Sequence, residues 1–167
     1  MTLKVLLGFS VVAGIAALFI HLLTFLPEPS HIPTAVVFPL ALLLIPPFAK
    51  SAMILKERNQ DLDPKLFWKR AFDSAPAWVG TIVLTMLIYT FFNFFFSLLV
   101  LNEGLTPDLM DGQFVLHSHG HITRVLTEEA YFIHKDYELR GMSTHIIFFH
   151  AVAAAVLWSE IRRTSAA

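Results

Sequence analysis

Four long apolar stretches limit what this 167-residue chain can fold into. A helix needs about 20 mainly apolar residues to cross the hydrocarbon core of a bilayer. Four segments meet that requirement: residues 5–26, 34–55, 77–101 and 143–161. Only 15% of the residues are charged, against about 25% in soluble proteins. We therefore predict an all-α membrane protein, a single domain over residues 1–167 that forms a bundle of four transmembrane helices.

The first two stretches differ in regularity. The first follows Lys4 but is too long for a signal peptide, and Phe25-Leu26-Pro27 is no small-residue cleavage site, so a retained helix is predicted. The second contains Pro39 and the pair Pro46-Pro47. Because proline removes a helical hydrogen bond, a kink at Pro39 and an early end or second bend at Pro46-Pro47 are expected.

The basic residues predict the orientation, because Lys and Arg accumulate in short cytoplasmic loops. The connection 49–76 contains six of them, whereas residues 27–33 contain none and residues 102–142 contain three against seven acids. Arg162 and Arg163 lie in the tail. We predict a multi-pass protein of the bacterial inner membrane, with both termini in the cytoplasm and residues 102–142 outside.

Two connections are predicted to be structured. In the cytoplasmic one, Asp63 and Pro64 suit a helix start, and an apolar face opposite lysines predicts an interfacial helix over residues 64–75. Residues 102–142 are too long for a featureless loop. There we expect an outer cap, with a β-hairpin (113–117 and 122–125, around a four-residue loop) and a helix that starts after Thr127 and ends at Gly141.

Three polar residues fall at similar depths in three different predicted spans: His21, Asn93 and His150. Polar side chains inside a bilayer are costly and usually face the bundle. Interhelical hydrogen bonding explains them in the simplest way. Two alternatives are that His21 and His150 are the axial ligands of a b-type haem, or that the three residues form a site for a quinone headgroup.

A second candidate site is the segment His117-Ser118-His119-Gly120-His121. Imidazole is a frequent ligand of zinc and copper, so the three histidines suggest an extracytoplasmic metal site, to which His145 at the start of the fourth span can contribute. The alternative is an exposed histidine-rich turn, with His145 as an interfacial histidine at the start of a helix.

Several motifs of the cap and its neighbours resemble a group of small bacterial four-helix integral membrane proteins of uncharacterised function. The similar segments are 75–78, 111–120, 126–131 and 140–145, and the resemblance covers roughly residues 65–158. It implies that the hairpin, the cap helix and the fourth span form one unit, in which His119 and His145 are the positions of interest.

Known catalytic motifs are missing from the sequence. It contains no HExxH, no P-loop and no GxGxxG. It has no cysteine, which excludes disulfides and thiolate chemistry, and no basic, aromatic-rich patch that suggests nucleic acid. We therefore expect a non-catalytic, accessory membrane protein that binds a partner or ligand through its outer cap or assembles into an oligomer. A redox subunit with haem or quinone and a zinc or copper binder remain the alternatives.

Overall fold

The computed structural model describes residues 2–59 and 69–165, which are mainly helical. The helices are α1 (Leu3–Leu23), α2 (Val37–Arg58, after a 3₁₀ turn at Thr34–Val36), α3 (Ala77–Phe95, continued by a π-helical turn at Phe96–Leu101) and α4 (Glu128–Ser165). Three strands, β1 (Thr106–Met110), β2 (Gln113–Ser118) and β3 (His121–Val125), form one antiparallel sheet in that order. Each of the four helical segments in this part of the chain is long and apolar enough to cross a membrane.

Helix α4 is the axis of the molecule. Its 38 residues extend over about 57 Å at 1.5 Å per residue. Helices α1, α2 and α3 all pack against it, and Leu139, Val156 and Leu157 are fully buried. The first part of α4 continues beyond the bundle and carries the sheet. We call residues 102–142 the cap, and the end of the bundle beside them the cap end.

The predicted end of the cap helix at Gly141 is wrong, because α4 continues through this position. A Cβ atom on Gly141 would lie 3.4 Å from the Cβ of Ser97 and 3.6 Å from the ring of Phe94. The glycine therefore allows α4 to approach the end of α3 closely, as small residues do where helices cross. In the sequence, a glycine such as Gly141 is typical both of a helix end and of a close helix crossing.

The prolines of α2 do not end the helix. Pro39 lies in its first turn, where an N–H has no intrahelical partner to lose, so the lost hydrogen bond from which a kink was predicted does not arise there. Pro46 and Pro47 lie inside the helix, which continues to Arg58. Ser51 then joins α2 to α4, because its hydroxyl lies 2.8 Å from the Pro47 carbonyl and 3.2 Å from the Ala153 carbonyl.

The cap contains one more strand than predicted. The predicted hairpin is β2 and β3, but its loop has two residues, His119-Gly120, with φ of 49° and 84°. A second two-residue turn at Asp111-Gly112 joins β1 to β2. Both turns have positive φ at their two central residues, as type I′ turns require. The sequence signal for β1 is weak, because Pro107 is unusual inside a strand.

Side chains on both sides of α4 hold the cap in place. The rings of Phe114 in β2 and Tyr131 in α4 are 4.7 Å apart. On the other side, the backbone N–H of Ser30 donates to the buried carboxylate of Asp136 at 2.7 Å. At the edge of the sheet, a 2.9 Å ion pair joins Arg124 to Glu103, and the hydrogen bond from Arg124 holds the pKa of the Glu103 carboxyl below its usual value.

The predicted interfacial helix lies partly outside the described residues, since residues 60–68 are not among them. Residues 69–71 are helical, and the chain turns at 72–74. Within the described residues, the helical structure ends at Ala71 rather than at residue 75 as predicted.

Candidate functional site

A polar cluster joins α1, α3 and α4 at the cap end of the bundle. His21 in α1 is buried. Its Nδ1 lies 3.0 Å from the Ser143 hydroxyl of α4, and its Nε2 lies 2.7 Å from the Tyr89 hydroxyl of α3. One imidazole thus connects three helices through two side-chain hydrogen bonds.

Only one assignment of hydrogen-bond donors and acceptors satisfies all three contacts of His21 and Ser143. The Ser143 hydroxyl lies 3.2 Å from the carbonyl oxygen of Arg140, which can only accept, so Ser143 donates there. Ser143 then accepts from His21, which places the imidazole proton on Nδ1. His21 Nε2 is consequently an acceptor, and the Tyr89 hydroxyl donates to it. The chain of donors therefore runs from Tyr89 through His21 and Ser143 to the backbone of α4.

Asn93 and Arg140 extend the same cluster. The Asn93 amide donates to the Arg140 carbonyl at 2.9 Å. The Arg140 guanidinium donates to the Thr24 hydroxyl at 3.2 Å and to the Thr24 carbonyl, and it lies 3.9 Å from the centre of the Phe25 ring. Arg140 therefore fixes the end of α1 against α4, and the structure brings the predicted residues His21 and Asn93 into one network.

His150 does not join this network. Its Nε2 donates to the Leu40 carbonyl of α2 at 3.1 Å, and its Cβ lies 3.4 Å from where a Cβ of Gly14 would be. Gly14 precedes His21 by two helical turns, about 10 Å along α1, and Ser143 precedes His150 by the same distance along α4. The two histidines are therefore at different levels of the bundle.

This separation argues against one alternative for the polar residues, a haem bound by both His21 and His150. Two axial histidines bind one iron with their nitrogens about 4 Å apart, twice a typical metal–nitrogen bond. His21 and His150 are not placed in this way, and both nitrogens of His21 already have partners. The geometry favours interhelical hydrogen bonding, and it does not assemble the predicted haem site.

The histidines of the cap also have separate positions. His117 accepts from the Gly120 amide through Nδ1 at 3.3 Å, and its Nε2 lies 3.7 Å from Asp108. His119 is at the apex of the turn, and His121 is exposed at the start of β3. Among the described residues, no three His, Asp or Glu side chains are close enough to hold a metal ion. The structure thus favours the exposed turn over the predicted zinc or copper site.

His119 itself has a local conformational role that can be tested. Its φ of 49° is left-handed, a region in which Asn is more favourable than most residues. We expect His119→Asn to raise the free energy of unfolding by roughly 0.5 kcal/mol and Gly120→Ala to lower it by about 1–2 kcal/mol, measured by thermal unfolding of the purified protein. Stabilisation of the wild type by zinc or copper, lost in His119→Asn, would contradict a purely conformational role.

His145 lies away from the cap histidines. Its Nδ1 is 3.1 Å from the Gly141 carbonyl of its own helix, and its ring meets that of Phe94 edge to face at 4.9 Å. It therefore joins α4 to α3 by packing, and it does not supplement the turn at His117–His121.

Sequence reasoning missed three members of the polar cluster: Tyr89, Arg140 and Ser143. Tyr89 lies within an apolar run, where an aromatic residue is normally interpreted as a packing residue and not as a hydrogen-bond donor. Arg140 was counted only as a loop charge. The spacing of Arg140 and Ser143 places both on nearly one side of a helix, a signal that was hidden by the predicted helix end at Gly141.

Comparisons with known protein families, with curated proteins and with solved structures find no match for this chain. The resemblance to small bacterial membrane proteins therefore stays a prediction. Function has to be inferred from the geometry of the chain itself.

Proposed function

We propose that this chain is an integral membrane protein of the bacterial inner membrane that acts without catalysis, as an anchored docking platform. In this proposal α1, α2, α3 and the second part of α4 cross the bilayer, both termini are cytoplasmic, and the cap lies outside. Support for insertion comes from the large apolar side chains that remain exposed around the bundle, among them Val12, Phe19, Leu42, Ile88 and Phe92. Exposed apolar surface of this extent suits lipid rather than water.

The docking surface follows from a difference between the two edges of the sheet. Edge strands expose unpaired N–H and C=O groups to which another strand can add, unless the edge is blocked. Along β1 and β2, hydrogen-bonded and non-hydrogen-bonded residue pairs alternate, starting from the turn at Asp111-Gly112. Pro107 and Leu109 are therefore the positions of β1 whose backbone nitrogens face the free edge. Pro107 has no N–H, and the Leu109 N–H donates to the Asp108 side chain at 2.8 Å. The edge of β1 is therefore blocked.

The edge of β3 contains no proline, although the pairing with β2 shifts by one residue at a bulge opposite Leu116 and His117. The pair Ser118 and His121 flanks the two-residue turn and exchanges hydrogen bonds, so the next pair, His117 and Ile122, does not. The Ile122 N–H therefore points away from β2. All five residues of β3 are exposed, including Ile122 at 47% and Val125 at 60%. This open edge, with two β-branched apolar side chains, is the observation that carries the proposal.

The occupant that fits this edge is an extended segment of another protein, which adds as a fourth strand. Main-chain hydrogen bonds would supply the affinity, and apolar side chains on the incoming strand would contact Ile122 and Val125. The cap suits this role because packing and hydrogen bonds hold it on α4, so that little order has to be gained on binding.

Site-specific photo-crosslinking in cells tests the proposal. A benzophenone amino acid at Val125 is expected to give one discrete product with a second protein. The matched control is the same amino acid at Leu109, which has a similar exposure of 55% but lies on the blocked edge. Ile122→Pro, which removes the outward N–H without removing a hydrogen bond to β2, is expected to abolish the product.

The outcomes separate this account from its competitors. Loss of the Val125 product in Ile122→Pro, with unchanged thermal unfolding, supports strand addition. A product of twice the mass of this chain means self-association and contradicts docking of a different protein. The proposal also fails if no product forms, if Leu109 gives the same product, or if the product survives Ile122→Pro.

A further inference from the structure

An apolar groove of about 310 Å³ opens on the surface of the bundle between α1 and α3. Helix α4 packs against both of these helices, and its Ala151, Ala154 and Ala155 form the floor of the groove. Leu7 of α1 and Ile82 of α3 are in the walls. The groove lies in the half of the bundle away from the cap, and it is separate from the polar cluster around His21.

The dimensions of the groove suit an acyl chain. From Ala151 to Trp158 it extends about 10 Å along α4. Spread over that length, its volume corresponds to a cross-section of about 30 Å², less than half that of a helix about 10 Å wide. An apolar cavity of about 150 Å³ holds one benzene ring, so twice that volume has room for part of one acyl chain but not for a whole helix.

Two tryptophans mark the end of the groove that is farther from the cap. The ring centres of Trp78 in α3 and Trp158 in α4 are 5.7 Å apart, and Trp78 is 55% exposed. Tryptophan is enriched where a bilayer meets water. If the bundle is inserted as proposed above, the alanine floor lies within the bilayer and the two tryptophans lie at its surface. The headgroup of a lipid in the groove would then lie just beyond them.

Two exposed cations continue the faces that line the groove. Lys4 precedes Leu7 by one turn of α1, and both are on the same face of that helix. Arg162 follows Trp158 by one turn of α4, again on the same face. Both cations are exposed, and neither forms an ion pair with any described residue. Two positive charges are therefore available at the headgroup end of the groove.

The register of α1 and α4 brings these two cations to one level. The helices are antiparallel, and the close contact of Gly14 with His150 gives their register. Ten residues further on, Lys4 is level with Glu160, and Arg162 is two residues beyond it, about 3 Å along the axis. Packed helices are about 8–10 Å apart, a distance that two long side chains can close from opposite sides. One phosphate can therefore accept from both cations.

We propose that the groove binds an anionic phospholipid from the leaflet on that side of the membrane. One acyl chain lies on the alanine floor, and the phosphate accepts from Lys4 and Arg162. A second copy of this chain is a poorer occupant, because it brings the same two cations to the same level. The proposal rests on the membrane insertion proposed above, but it is independent of strand addition at β3.

Native mass spectrometry of the full chain in detergent micelles tests the proposal. The probe is phosphatidylglycerol, and zwitterionic phosphatidylethanolamine is the comparison. We expect one saturable site that prefers phosphatidylglycerol. Lys4→Gln and Arg162→Gln are each expected to weaken binding of this lipid about fivefold, the factor for one cation near an anionic headgroup. The double variant is expected to weaken it about 25-fold and to lose the preference over phosphatidylethanolamine.

Two substitutions in α2, which does not line the groove, are the matched controls. Lys56→Gln removes an exposed cation and is expected to leave binding unchanged. Ala154→Phe, which fills the groove, is expected to abolish saturable binding, whereas Ala52→Phe on the exposed face of α2 is expected to have no effect. Thermal unfolding of each variant shows whether the bundle is intact, and the exposed positions Lys4 and Arg162 test the site without any change in packing.

Several results would overturn the proposal. It fails if phosphatidylethanolamine binds as tightly as phosphatidylglycerol, if the double variant of Lys4 and Arg162 binds as the wild type does, or if Lys56→Gln weakens binding as much as Lys4→Gln. It also fails if Ala154→Phe leaves binding unchanged. A dimer that Ala154→Phe dissociates would show that a second copy occupies the groove. None of these variants touches β3, so the crosslinking result at Val125 is judged separately.

Discussion

Arg58→Ala is expected to lower the free energy of unfolding by about 2–4 kcal/mol, because it removes several charge-assisted hydrogen bonds of a largely buried ion pair, while Glu160 keeps Arg163 as a partner at 2.7 Å. Arg58 is at the end of α2, away from the cap. Its Nη2 donates to the Glu160 carboxylate of α4 at 2.6 Å, and its Nη1 lies 3.0 Å from the Arg70 carbonyl and 3.1 Å from the Ser159 hydroxyl. The two charged side chains are only 8% and 11% exposed. Water therefore cannot take the place of a removed partner unless the surrounding structure rearranges.

The effect can be measured by equilibrium unfolding in mixed detergent micelles, followed by circular dichroism. Lys56→Ala is the control, because Lys56 is an exposed cation on the same helix, and it is expected to change stability by less than about 0.5 kcal/mol. Adding Glu160→Met to Arg58→Met should recover part of the loss, since the largely buried carboxylate that has lost Arg58 is then absent. Equal effects of Arg58→Ala and Lys56→Ala would show that the ion pair does not hold α2 to α4.

His21→Ala is expected to destabilise the protein by roughly 2–4 kcal/mol, from the cavity left by the imidazole and the loss of two hydrogen bonds. The loss is large because Ser143 and Tyr89 each lose their shared partner, and α1, α3 and α4 lose a common contact. Tyr89→Phe removes only one hydrogen bond and is expected to cost about 1 kcal/mol.

The same unfolding measurement checks this second prediction, with Leu22→Ala as the control. Leu22 is the next residue of α1 and is exposed, so its replacement should have little effect on packing. Tyr89→Phe should cost almost nothing in the His21→Ala background, because the bond it removes is already absent. Fully additive losses from the two substitutions would mean that the His21–Tyr89 hydrogen bond does not contribute to stability.

The helices could be predicted because the prediction of each depends only on the composition of its own segment. A run of about 20 apolar residues predicts a helix without knowledge of its neighbours, and the predicted segment 77–101 matches α3 with its π-helical turn. Local signals failed where a residue has two uses. Gly141 suits a helix end as well as a helix crossing, and only the position of Ser97 on α3 shows which applies.

The candidate site was harder to predict, because it depends on how the helices are rotated. Hydropathy places His21, Asn93 and His150 at similar depths, but it does not say which faces meet. The structure joins two of them through the backbone of Arg140 and leaves His150 against α2. In the cap, the histidine spacing resembled a metal site, but among the described residues no three metal-binding side chains come together.

Labelling of single cysteines tests the central claim, that this chain is a membrane-spanning platform with an outer cap. The chain has no cysteine, so Thr123→Cys in β3 and Thr164→Cys near the end of α4 each introduce one exposed thiol. In spheroplasts treated with a membrane-impermeant maleimide, we expect immediate labelling of Thr123→Cys and labelling of Thr164→Cys only after the membrane is disrupted. Labelling of Thr164→Cys in intact spheroplasts, or protection of Thr123→Cys, would contradict the account.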